Sequence, residues 1–101
     1  MAMAEGQCTV VVAYEVAYED CDRFLDSWEK ANDFLKNQPG FVSTALHQAV
    51  SANPDFRFVN VACWENEDAF RSATQNKDFQ EASGRLAPFP IHAAVYEVIR
   101  T

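Results

Sequence analysis

The sequence predicts an α+β fold of order β-α-β-β-α-β, four antiparallel strands with two helices on one face of the sheet. Three observations predict it. The run from Cys8 to Val16 is rich in Val and Tyr and apolar at almost every position, which suits a short strand buried on both faces. Two longer stretches repeat apolar residues at helical spacing and give way to prolines, as amphipathic helices do. Between them, two strand-like runs flank the turn-forming segment Ser51-Ala52-Asn53-Pro54-Asp55, the pattern of a hairpin.

After the first strand, Asp20 and Asp22 supply carboxylates where the positive end of a helix dipole favours them. Phe24, Trp28, Ala31 and Leu35 then recur at helical spacing, with Leu25 and Phe34 widening the stripe. That helix must stop near Gln38, because Pro39 disfavours helical geometry in the residue before it and Gly40 permits a turn. Phe41 to Val50 alternates loosely as the second strand, and Phe56 to Glu65 returns as the third.

Asn66 is a natural N-cap ahead of Glu67 and Asp68, and Phe70 and Ala73 begin the second apolar stripe. Asn76 is placed to interrupt or recap this helix before Phe79, Ala82 and Leu86 extend it and Pro88 and Pro90 break it. Ile91 to Ile99 supplies the last strand, completing a ferredoxin-like order. A length of 101 residues leaves no room for a second core, so residues 8–101 are expected to form one domain after a flexible start over residues 1–7.

Eight basic against fifteen acidic residues give a net charge of -7, which opposes nucleic-acid phosphates and anionic lipid surfaces. The partners expected are therefore neither nucleic acid nor membrane, and no run approaches the length of a bilayer span. Cys8, Cys21 and Cys63 are odd in number and lack C-x-x-C spacing, which argues against a disulfide scaffold and for a reducing, cytoplasmic setting. The N-terminus shows neither a basic nor an apolar leader region.

Strand periodicity sets Val10, Val12 and Tyr14 against Val11 and Ala13, and Phe58, Ala62 and Trp64 against Val59, Val61 and Cys63. Both faces of the sheet are apolar, yet two helices cover only one. A homodimer packed through the open sheet face is the simplest cover, with another domain or protein as the alternative.

Asn60 is the singular residue of the third strand, since Asn is depleted in strands and a buried amide needs partners or costs roughly 1–3 kcal/mol. Trp64 lies four residues on and on the same face, so an amide and an indole N–H converge there. Spacing alone leaves two readings: core filler with Asn60 bonded to a neighbouring side chain, or a pair of donors to a ligand. The wall residues Phe24, Trp28 and Phe34 likewise fit either plain core or a pocket lining.

The Pro39-Gly40-Phe41 turn, the Phe58-Val59-Asn60-Val61-Ala62-Cys63-Trp64-Glu65-Asn66 segment and the following Asp68-Ala69-Phe70 resemble the antibiotic biosynthesis monooxygenase family, over about Cys8 to Ile99. The resemblance implies a dimeric α+β barrel with a pocket between sheet and helices. It also implies cofactor-independent oxidation of a small aromatic or quinol-like substrate, as in the branch acting on polyketide anthrones, with Asn60 and Trp64 as the catalytic pair. Phe58, Phe70 and Arg85 would join the wall residues in substrate binding.

In that branch a tyrosine stands where this chain has Phe70, and an arginine where it has Gly84, next to Arg85. The haem-degrading branch has an axial histidine and a tryptophan that would fall near Ser83 and Ala73, so haem would need His47 or His92, which this topology puts on opposite sheet edges. No metal site is expected from two lone histidines. With three glycines and no phosphate-cradling motif, no nucleotide cofactor is expected either. Cys63 points away from Asn60, and Glu15 and Glu65 lie near strand ends, where exposure is common. The alternatives are a non-catalytic dimeric module for a hydrophobic metabolite and, third, a haem-degrading monooxygenase.

Overall fold

The computed structural model describes residues 6–86 and 88–101; residues 1–5 of the expected flexible start, Ala87 and the side chain of Arg85 lie outside the described part. The elements are β1 (Cys8–Tyr14), α1 (Cys21–Leu35), β2 (Phe41–Gln48), β3 (Phe58–Trp64), α2 (Glu67–Gln75), α3 (Lys77–Ala82) and β4 (Ile91–Tyr96). Single 3-10 turns at Tyr18–Asp20 and Gly84–Leu86 join them. The strands form one antiparallel sheet in the order β2-β3-β1-β4. This is the ferredoxin-like α+β fold that the pattern predicts.

The differences lie at element ends and have local causes. β1 stops at Tyr14, two residues short of the expected Val16, because its last partners are Phe58 and Ile91. Glu15 N–H still donates to the Pro90 carbonyl at 3.0 Å, but Pro90 has no N–H with which to continue a ladder. β4 ends at Tyr96, which pairs with Thr9 near the start of β1, so Glu97 to Ile99 leave the sheet. Asp20 precedes α1 without capping it and instead pairs with Arg23 at 3.3 Å.

Asn66 caps α2 by accepting from Ala69 N–H at 2.7 Å. Asn76 leaves helical geometry (ψ 136°) and accepts from Asp78 N–H at 2.8 Å, which ends α2 and starts α3. The expected second helix is thereby two.

Two core clusters fill the space between sheet and helices, one at each end of the central strands. Cys8, Val10, Ala62, Trp64 and Ala73 form the first, and Tyr14, Val16, Phe24, Phe58 and Phe89 the second. Val12, in the middle of β1, packs against both. On the far face Val11, Ala13, Val59, Val61 and Cys63 are only half-buried, and every residue of β4 is exposed.

Gly40 fixes how α2 meets the sheet. Its φ of 86° is in the left-handed region, its carbonyl accepts from Glu65 N–H at 2.7 Å, and an added Cβ would collide with the Ala69 Cβ. Gly40→Ala is therefore expected to lower the unfolding free energy by about 2–4 kcal/mol, combining backbone strain with steric overlap. Gly84→Ala, where nothing lies within 4 Å of the new carbon, should change it by less than about 0.5 kcal/mol. Urea denaturation of both variants measures the difference; equal losses would contradict this role for Gly40.

Candidate functional site

Between the two core clusters the helices do not meet the sheet, and a cavity of about 210 Å³ remains. Its floor is the middle of β1 and β3, where Val12 pairs with Asn60. Trp28, Ala31, Asn32 and Leu35 of α1 and Phe70 and Thr74 of α2 form the opposite wall, and Tyr14, Phe79, Leu86 and Ile91 also line it. None of the described lining residues carries a charge.

Asn60 sits on this floor with its amide fixed. Thr44 donates its hydroxyl to Asn60 Oδ1 at 2.7 Å, which turns the Nδ2 group the other way. The reach from β2 depends on an irregularity in the ladder: Phe41 pairs with Trp64 but Ser43 pairs with Cys63, so one extra residue shifts the alternation. Phe41 and Thr44 thus both face the helices. The neighbouring-side-chain reading of Asn60 is correct for its oxygen and leaves its nitrogen unassigned.

Trp64 is 1% exposed. Its ring makes T-shaped contacts with Phe41 and Phe70, at centroid distances of 5.4 and 5.7 Å. Among the described residues no protein acceptor takes the Trp64 indole N–H or the Asn60 Nδ2 group, yet no described buried side-chain polar atom is unpaired. Both groups therefore reach open space, and the space their residues line is the cavity.

Of the residues singled out from sequence, the structure brings Asn60, Trp64, Phe70 and Trp28 to the cavity. Phe24 and Phe58 are not in the lining: they stack at 4.6 Å and 20° inside the second core cluster. Phe34 lies outside it too, its ring 6.0 Å from that of Phe79, so the helical stripe is wider than the stretch that meets the void. The side chain of Arg85 lies outside the described residues. Thr44, Asn32 and Tyr14 were missed; the signals were a polar residue within the α1 stripe and a phenol in alternation with Val12.

His47 and His92 lie on strands at opposite edges of the sheet, pairing with Val59 and Ala13 on the face away from the cavity. Among the described residues no group of three or more His, Cys, Asp or Glu is placed to hold a metal. Ala73 is buried in the first core cluster and Ser83 caps α3. Burial pushes the Cys8 thiol up from its ordinary value, with a smaller push from Cys63, and Cys8 is core packing. No helix among the described residues is long and apolar enough to cross a membrane.

A sequence profile of the antibiotic biosynthesis monooxygenase family matches residues 8–85. No protein of curated function matches the chain significantly. Among solved structures, a proposed monooxygenase from Shewanella loihica is 30% identical with a TM-score of 0.84, covering 98% of this chain and 100% of that one. SnoaB, a cofactor-independent oxygenase from Streptomyces nogalater, is 24% identical with a TM-score of 0.79, covering 95% of this chain and 96% of that one. A protein from Bacteroides fragilis, described as dimeric and ferredoxin-like, is 13% identical with a TM-score of 0.75, covering 95% and 100%. The last two share the fold.

Proposed function

The chain belongs to the antibiotic biosynthesis monooxygenase family, and from that premise we propose that it is a cofactor-independent monooxygenase acting on a small aromatic or quinol-like substrate in the cavity between sheet and helices. The observation that carries the proposal is the Asn60 amide. Thr44 holds its oxygen, and its nitrogen is left to donate into a cavity whose described lining is uncharged, beside the Trp64 indole. SnoaB, described as an oxygenase that uses no cofactor, supports the reaction type.

For a phenol with a free para carbon the chemistry needs no outside reductant. Loss of the phenolic proton leaves an oxyanion that the Asn60 Nδ2–H and Trp64 Nε1–H stabilise, and fixed donors in apolar surroundings act more strongly than water does. The anion gives one electron to dioxygen, the two radicals join at the para carbon, and a proton returns to the peroxide. That hydroperoxide loses water to leave a quinone. The substrate supplies all four electrons; one oxygen atom becomes the new carbonyl and the other leaves as water.

The described lining holds no base of ordinary strength; in this reading the proton passes to solvent, a proton from solvent later reaches the peroxide, and the donors do the activating. Asn60→Ala is expected to lower kcat by about 100-fold or more, and Thr44→Val by roughly 10-fold through a loosened amide, about 1.4 kcal/mol. Oxygen uptake with α-naphthol, in metal-free and flavin-free buffer, reads both. Unchanged turnover in a folded Asn60→Ala variant contradicts the assignment.

The absence of a base from the described lining, with Phe70 where the related branch has a tyrosine, favours a second reading: a module that binds such ligands without turning them over. Tight naphthol binding with no quinone formed would establish it. Haem fits poorly, because a cavity near the size that holds benzene, roughly 150 Å³, does not admit a tetrapyrrole.

The same proposal includes a homodimer through the open sheet face, supported by the half-buried Val11, Val59 and Val61 and by the exposed β4. All three cysteines are free, which fits a cytoplasmic setting. Light scattering should give twice the 11.4 kDa chain mass, and Val61→Glu should return the single-chain mass. A wild-type chain that is monomeric at micromolar concentration contradicts the dimer.

A further inference from the structure

We propose that Tyr14 is the second polar anchor of the cavity, donating its phenolic proton to an oxygen of a one- or two-ring ligand at the end remote from the oxygen that Asn60 holds. The inference rests on the reading of the cavity as a ligand site and names which ligands it selects.

Four observations converge on Tyr14. First, it shares the cavity face of the sheet with Asn60: Val12 is opposite Asn60 and Tyr14 is opposite Phe58, so the two are diagonal neighbours, roughly 7–8 Å apart at Cα. Second, Tyr14 lines both the cavity and a depression formed with Gln80, Ser83 and Gly84. Phe79, Leu86 and Ile91 also belong to both, so Tyr14 stands where the cavity and that depression adjoin. Third, its ring is fixed: it is 7% exposed and meets the Phe24 ring edge-on at 4.8 Å and 61°. Fourth, its hydroxyl bonds to no described residue and is not among buried unpaired atoms, so it opens onto that junction.

Burial raises the Tyr14 phenol from 10.0 to about 12. It therefore keeps its proton at neutral pH and serves as a donor, not as a base. Cavity size limits what lies between the two anchors: about 210 Å³, against roughly 150 Å³ for a cavity that takes benzene, suits one or two rings and not three. The absence of charge from the described lining favours a neutral ligand, since an unpaired charge buried here would be costly.

The test is an anaerobic titration of the full chain with α-naphthol, which has one hydroxyl, and with the dihydroxynaphthalene bearing one hydroxyl on each ring. Quenching of Trp28 and Trp64 fluorescence reports binding. Tyr14→Phe should weaken the dihydroxy ligand by about 5- to 10-fold, the worth of one neutral hydrogen bond, and α-naphthol by less than about 2-fold. If both ligands weaken equally, or neither does, the anchor role is overturned while the cavity reading stands. If wild type binds neither, the cavity reading itself falls and the anchor with it. Should Tyr14→Phe lose its fold, tyrosine Cζ chemical shifts of the labelled wild type decide: Tyr14 must respond to the dihydroxy ligand more than to α-naphthol, and an equal or absent response overturns the proposal.

Discussion

A two-layer domain closes its interior only where helix and sheet side chains interlock, and here they interlock at the two ends of the central strands and not between them. The Trp64 cluster packs one end and the Phe24–Phe58 stack the other. Large rings stand at the ends, and between them, where Val12 faces the helices, a gap remains. The cavity is thus a consequence of where the bulky residues stand. Any polar group left on its floor must be satisfied by the protein or by what enters.

Asn60 answers that constraint in both ways at once. Thr44 satisfies its oxygen and so decides which way the amide faces, and under the proposed function the nitrogen serves a ligand. Trp64 is restrained by T-shaped contacts with two rings, so its N–H is set before any ligand arrives. Donors held this way need no reorganisation when charge develops on a bound oxygen. In the proposed reaction the protein would contribute placement and dryness, and the substrate the electrons.

Much of this was legible in the sequence because it depends on periodicity. Alternation puts Asn60 and Trp64 on one face of β3, helical spacing brings Trp28 to the same space, and Asn66 and Asn76 mark helix starts by their capping chemistry. The rest depends on features that periodicity does not carry. The extra residue after Phe41 changes which side chains of β2 face inward, so Thr44 could not be paired with Asn60 from alternation. Phe24 and Phe58 have the right face but lie at the end of the sheet where the layers close. Whether an aromatic residue fills a core or lines a void is a matter of three-dimensional packing.

A ligand between sheet and helices is the claim on which the chemistry stands. The most direct measurement is a heteronuclear NMR titration of the nitrogen-15-labelled chain with α-naphthol in oxygen-free buffer, following the Asn60 side-chain amide and the Trp64 indole N–H. Both resonances should move along one saturable curve while those of Val59 and Val61, on the opposite face, stay still. Saturable binding that moves Val59 and Val61 and leaves Asn60 and Trp64 unchanged would contradict a site in this cavity.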